Sequence, residues 1–407
     1  MALGRRVWGR ARGRRPALLV VWLCAGVAAA AGDGERAGEP IRVGMSAALS
    51  GPAQALGLGM KAGIEACFRQ VNRAGGVHGR QLELVARDDA YEPARTGPIV
   101  RTLIDTDKVF AVLGNPGTPT AAVTAPIANR QRVPFVAPFT GAGLLRRTPP
   151  DRYVINLRAS YAQETAEMVR GLTTEAGIRA SEIAFFTQND AYGDAGYAGA
   201  LAALRAAGYA QAADLPHVRY QRNTLDVEGA LARLLDPSLH PRAVIMIGAY
   251  APCAKFISLA RREGMRALFV NVSFVLGDML NHALGAAGEG VVVTQVVPPL
   301  DAPLPILREF HAEVPLAEAS FVSLEGFLAA KVFVAGLLRA GPEPTRERFI
   351  DALESGPPLD LGIGPLAPLS RTRHQISDRV WPTVLHGGRF RALNSWSELR
   401  GRAGGGT

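Results

Sequence analysis

The chain has 407 residues, 48 % of them apolar, which is enough to build cores in the two domains that the length suggests at about 150 residues each. Six arginines precede residue 16 (Arg5, Arg6, Arg10, Arg12, Arg14 and Arg15), and without them the formal charge falls from +9 to +3, too little for a nucleic-acid partner. Three cysteines exclude a disulfide framework.

Those arginines open an export signal. The apolar segment 17–27 follows them, then the alanine run 28–31, with small residues at the spacing a signal peptidase needs. Cleavage is expected near Ala29–Ala31, so residues 1–31 are read as a signal peptide. The apolar segment is short for a bilayer span. Cys24 makes a poor lipid-attachment site because Trp22 and Leu23 are bulky. No second apolar run of bilayer length is read downstream. Cys67 and Cys253 remain after cleavage, and Cys67 reads as a small core residue.

Residues 41–49 read as a first strand, 59–72 as a helix stopped by Gly75 and Gly76, 81–87 as a second strand ending in Asp88 and Asp89, and 93–106 as a second helix. The stretch 109–142 organises the rest. Its apolar run 109–113 is a buried strand broken by Gly114, Asn115, Pro116 and Gly117. Thr118 stands where an N-cap belongs, and 120–130 form a helix whose amides point back into the loop. Residues 134–137 are another strand, ending in the small polar loop Phe139, Thr140, Gly141 and Ala142. In a parallel sheet both loops emerge at the carboxyl edge, where ligands bind. Gly- and Thr-rich loops of this kind also occur in any α/β protein, so the local pattern alone does not decide.

A strand at 153–158 follows, and then the alternation restarts: helix 164–175, strand 182–187, helices 192–207 and 226–235, strand 243–247, helix 251–263 and strand 267–272. The strongly β-branched run 290–297 reads as a strand crossing between two halves. Helices are expected at 306–312, 323–339 and 346–354, and a strand pair at 378–385 and 390–393 around Gly387 and Gly388. This order predicts an α/β fold of two doubly wound, Rossmann-like lobes with a cleft between them.

Over about 41–395 the chain resembles the type I periplasmic binding proteins, in the branched-chain amino acid and amide group that serves ATP-driven importers. The resemblance rests on 45–54 (MSAALSGPAQ), 71–79 (VNRAGGVHG), 88–93 (DDAYEP), the stretch 109–142, 192–196, 248–252 and 321–331, in that order and spacing. It implies lobe 1 at 41–158 plus 297–378, lobe 2 at 159–296 plus 379–400, and a three-segment hinge. It also implies closure on one small ligand, docking on a membrane permease, a periplasmic location and a monomer, with no cofactor, metal or nucleic acid.

Carried over by position, the resemblance gives Thr118 a hydroxyl and an amide for a ligand carboxylate, helped by the helix N-terminus. It places Phe139, Thr140 and Gly141 in the second loop and makes Tyr192 and Tyr250 walls from the opposite lobe. Three departures stand out. Ser273 occupies the position of the carboxylate that holds a ligand ammonium. Leu56 replaces a tyrosine, and Tyr91 and Gly117 replace a cysteine pair found in some members. Glu325 is either a substitute charge or a solvated helix residue. The ligand is therefore open between a branched-chain amino acid, an amide, a carboxylate and an apolar molecule such as a lipid.

An enzyme is the reading from another class. No G-x-S-x-G elbow is present, no H-E-x-x-H pair, and no G-x-G-x-x-G after the first strand. Asp88 and Asp89 are a possible metal pair or, more commonly, a turn. A ligand-sensing protein for a membrane receptor is the second alternative, which this sequence does not separate from an importer component.

Overall fold

The computed structural model describes residues 38–402, and the expected signal at 1–31 lies outside the described residues. The chain begins with β1 (Ile41–Ala47), α1 (Gln54–Arg73), β2 (Leu82–Asp88), α2 (Pro93–Asp105), β3 (Ala111–Leu113), α3 (Thr118–Arg130), β4 (Phe135–Val136) and β5 (Val154–Ile155). These five strands form one parallel sheet in the order β2-β1-β3-β4-β5. The order reverses between β1 and β3, so the loops after those strands face one crevice at the carboxyl edge.

The second half holds α4 (Tyr161–Arg170), β6 (Ile183–Gln188), α5 (Ala191–Ala206), β7 (His217–Tyr220), α6 (Glu228–Leu234), β8 (Ala243–Ile247), α7 (Tyr250–Arg262), β9 (Leu268–Asn271), α8 (Gly277–Leu284) and β10 (Val292–Gln295). The chain then returns to the first half as α9 (Pro305–Glu313), α10 (Phe321–Ala340) and α11 (Arg346–Ser355). It ends with β11 (Trp381–His386) and β12 (Arg389–Ala392), which complete a seven-stranded sheet, β12-β11-β10-β9-β8-β6-β7. β11 pairs antiparallel with both β10 and β12, and the other pairings of this sheet are parallel. The reversal here lies at β6, whose neighbours are β7 and β8.

The physical reasons are local. Every residue of β6, β8, β9 and β10 is buried, as expected for strands covered on both faces by helices. Ser160 caps α4 through a box with Gln163, so that helix starts three residues before the predicted 164. Its predicted end, 171–175, is a wide five-residue turn. The expected crossing strand 290–297 is β10, a member of the second sheet, and the crossing comes after it. Sequence reasoning missed β7 and α8, both too short for their periodicity to stand out.

α10 corrects the reading of a single bilayer-length run: it is 20 residues long and apolar enough to span a membrane by composition, with 78 % of its best window buried. It packs against α1 backbone to backbone. A Cβ added at Gly63 would lie 1.9 Å from the Ser323 carbonyl oxygen, and one at Gly326 would lie 2.4 Å from that of Met60.

The chain passes between the sheets three times: after β5, after β10 and before β11. The first and third crossings run side by side. Ile376 N donates to the Asn156 carbonyl at 2.9 Å and Ser377 N to that of Leu157 at 2.9 Å.

Candidate functional site

At the carboxyl edge of the first sheet the loops after β1, β2, β3 and β4 are tied together. Ser46 N donates to Asn115 Oδ1 at 3.2 Å, and Ser46 Oγ donates to Asp89 at 2.7 Å. Asp89 also accepts from Thr96 Oγ1 and Tyr91 N, and Asp88 accepts from Leu49 N and Ala90 N. The acidic pair is thus a turn-former. No cluster of three or more His, Cys, Asp or Glu suited to a metal occurs among the described residues.

Gly117, at φ 102°, turns the chain into α3. A Cβ there would lie 2.2 Å from the Tyr91 ring, so the two positions that the resemblance singled out are in contact. Thr118 is the first helical residue rather than the cap, and its side chain makes no cap bond. Its Oγ1 instead lies 2.7 Å from Thr140 Oγ1, and Thr140 Oγ1 lies 3.4 Å from the Tyr161 hydroxyl of the other lobe. The two loops are zipped by Phe139 N to the Asn115 carbonyl (2.9 Å) and Gly117 N to the Phe139 carbonyl (3.1 Å). Gly141 accepts from Tyr161 N at 2.8 Å, and a Cβ on it would collide with that nitrogen.

The second lobe covers these loops with aromatic rings. Phe274, after β9, has its ring centroid 5.1 Å from Phe139, 4.8 Å from Tyr192 and 6.2 Å from Tyr91. Tyr161 and Tyr192 are 5.3 Å apart. All five side chains are fully buried, and burial raises the Tyr192 phenol well above its ordinary range. Tyr192 donates to the Gly248 carbonyl at 3.3 Å. Tyr250 is half-buried and reaches across the lobes to the Pro52 carbonyl at 2.8 Å. Leu56, 1 % exposed, is in the main core.

Beside the rings lies a charge cluster. Arg158, in the first crossing, is 1 % exposed and sits over the Phe139 ring (5.1 Å to the centroid) and the Tyr161 ring (5.8 Å). Its Nη2 donates to Ser273 Oγ and to Glu164. Glu164 in turn accepts from Ser273 N (2.8 Å), Ser273 Oγ (3.0 Å) and Thr294 Oγ1 (2.7 Å). Glu325 is buried, not solvated, with Oε1 3.5 Å from Arg158 Nη1. Burial pushes the Glu325 carboxyl up to about 7 against the opposing pull of Arg158. Burial alone would depress Arg158, but Glu325 and Glu164 outweigh it and hold its pKa above the ordinary value.

A family model described as periplasmic binding protein matches residues 40–389. This chain belongs to the periplasmic binding protein family. It is similar to a Leu/Ile/Val-binding protein homologue of Brucella melitensis, with 26 % identity over 344 residues, covering 83 % of this chain and 90 % of the relative. Among solved structures it resembles a possible leucine/isoleucine/valine-binding protein from Rhodopirellula baltica, with 43 % identity, TM-score 0.85, and coverage of 89 % and 98 % of the two chains. A substrate-binding periplasmic protein from Ralstonia solanacearum follows at 30 % identity, TM-score 0.76, and coverage of 84 % and 97 %. Members of this family are binding proteins rather than enzymes.

In this periplasmic binding protein the structure brings together Thr118, Phe139, Thr140, Gly141, Tyr192, Ser273 and Glu325. It leaves Tyr250 on a contact between the lobe rims. Sequence reasoning missed Arg158, Glu164, Tyr161 and Phe274. The one available signal was Arg158 itself, a lone arginine closing the apolar run 153–158.

Proposed function

We propose that this protein is the exported solute-binding component of an ABC importer, located in the periplasm, which closes its two lobes on one small organic ligand and presents the closed form to a membrane permease. The lobe limits we propose are 41–158 plus 297–378, and 159–296 plus 379–400. The observation that carries the reading is the Thr118–Thr140 hydroxyl pair at the start of α3, covered from the other lobe by Tyr161 and Phe274. Two hydroxyls and a helix N-terminus supply donors for a polar or anionic end of the ligand, and the rings supply an apolar wall. Thr118, Phe139, Thr140, Gly141, Tyr192, Ser273 and Glu325 are the proposed contacts, with Leu56 behind them and Tyr250 at the rim.

A thermal-shift screen tests this. The protein is purified after export, then unfolded and refolded to strip any carried ligand. The panel holds branched-chain amino acids, short amides, aliphatic and aromatic carboxylates, and lipids. A ligand that binds only the folded state raises the melting temperature, by about 2.7 kcal/mol of stabilisation at a hundred times its Kd. No shift with any class overturns the reading.

A further inference from the structure

Glu164 has no capacity left for a ligand ammonium. Ser273 N and Thr294 Oγ1 occupy Oε2, while Ser273 Oγ and Arg158 Nη2 occupy Oε1. A carboxylate offers about four acceptor directions, and all are used. Arg158 is the opposite case. Its Nη2 is engaged, yet Nε and Nη1 have no hydrogen-bond partner although the side chain is buried. The 3.5 Å to Glu325 is an ion-pair distance without a hydrogen bond. Asn115 Nδ2, in the loop before Thr118, is a further buried donor without a partner. Arg158 and Asn115 thus leave donors over, as Asn271 Oδ1 at the end of β9 leaves an acceptor, and an unpaired buried donor is costly until something accepts from it.

We propose that the ligand is a carboxylate that carries no ammonium, and that Arg158 meets it by exchanging Glu325 for the ligand carboxylate. The proposal rests on the reading of this cleft as the ligand site. Arg158 Nε and Nη1 donate to the incoming carboxylate in the planar, two-pronged manner that guanidinium favours. Where Glu325 is ionised it then takes a proton from solvent, so above pH 7 close to one proton is bound with each carboxylate, and no covalent bond between heavy atoms changes. The charged groups that face Glu325 are Arg158 on the first crossing, Glu164 on α4 and Arg146 on the loop after β4. With Glu325 neutral, the two arginines and Glu164 leave one positive charge, which one carboxylate balances. Arg146 is not the acceptor's partner, because its donors already serve the carbonyls of Ala142 (2.9 Å) and Arg158 (3.0 Å) and the Gln375 side chain (3.0 Å). Burial, which holds Glu325 near neutral pH, makes the proton exchange accessible.

The test is calorimetric titration of the refolded exported protein with matched pairs: leucine and 4-methylpentanoate, valine and 3-methylbutanoate, phenylalanine and 3-phenylpropanoate, with benzoate and octanoate added. The expected result is that at least one acid binds roughly tenfold or more tightly than its amine partner. Its affinity falls about tenfold between pH 6 and pH 8, and at pH 8 its binding heat varies with buffer ionisation as for uptake of nearly one proton, an effect that fades towards pH 6. Arg158→Gln weakens that acid by about thirtyfold or more. Glu325→Gln, which keeps the shape and removes the competing charge, binds the acid about tenfold more tightly than wild type at pH 8 and loses the pH dependence. An amino acid that binds as tightly as its acid overturns the proposal and leaves the solute-binding reading standing, as does a pH dependence that survives in Glu325→Gln. If no member of the panel binds, both fall.

Discussion

Residue types at this site matter through what each has left over. Thr118 and Thr140 satisfy one another at 2.7 Å. Replacing Thr140 strands the Thr118 hydroxyl, whereas Thr140 keeps Tyr161 Oη and Ala142 N when Thr118 is replaced, and replacing both with valine removes the stranded hydroxyl. Thr140→Val is therefore expected to lower the melting temperature more than the double Thr118→Val/Thr140→Val variant, while both lose about tenfold in affinity for whichever panel compound binds. Calorimetry and thermal melts on the same samples check this. Glu325 makes a second prediction. Its carboxyl is raised in the folded state to about 7 from an ordinary 4.5. Its contribution is fully present below pH 4.5 and is lost as pH rises through 7. Without ligand, Glu325→Gln should match wild type near pH 4 and melt about 2–5 °C higher at pH 8. Equal melting at pH 8 would show that Glu325 is not held in that state.

At the scale of elements, the α1–α10 crossing sets the first lobe. Gly63 and Gly326 let the two backbones touch, because each Cβ would fall within 2.4 Å of a carbonyl oxygen of the facing helix. Gly63→Ala should thus be destabilising by about 1–3 kcal/mol or more despite alanine's better helix propensity, since overpacking a close crossing outweighs the gain of about 1 kcal/mol. An exposed control, Gly229→Ala in α6, has open space around its Cβ and should be neutral or stabilising. Urea midpoints of the two variants separate crowding from propensity. Ser160 gives a milder case. It accepts from Gln163 N at 3.1 Å at the start of α4, and Ser160→Ala should cost about 1 kcal/mol.

Across the whole molecule, the two lobes are bridged at the rim as well as at the centre. Arg222 of the second lobe donates to Glu92 of the first at 2.9 Å and to Asp190 at 3.0 Å, and Asn223 donates to Glu92 at 2.6 Å. Asp278 accepts from Phe321 N at the start of α10 at 3.2 Å, and Tyr250 reaches the Pro52 carbonyl. Pairs as exposed as Arg222–Glu92 contribute modestly, about 0.2–1 kcal/mol. Arg222→Met is expected to weaken ligand binding two- to fivefold and to enlarge the radius of gyration of the ligand-free protein in small-angle scattering, by shifting the population towards open forms. An unchanged radius together with unchanged affinity would remove these contacts from the closure equilibrium.

The strand and helix alternation was legible because apolar runs of four to eight residues punctuated by glycine carry their own signal, as at 109–113 and 243–247. So was the pairing of the Thr118 and Thr140 loops, since parallel strands deliver their following loops to one edge. β7 and α8 were not legible, because four and eight residues are too few to outvote their neighbours. Nor was the cluster of Arg158, Glu164, Ser273 and Glu325. Its members are separated by up to 167 positions and share no spacing. Only the packing of a crossing segment against α4, α10 and the loop after β9 makes them one site. The amino-acid sequence by itself determined the two-lobed α/β plan, because local periodicity and turn chemistry act over a few residues. Which charges are desolvated, which donors go unpaired and which rings close over the threonines was decided by the tertiary structure alone, because burial is a property of neighbours distant along the chain.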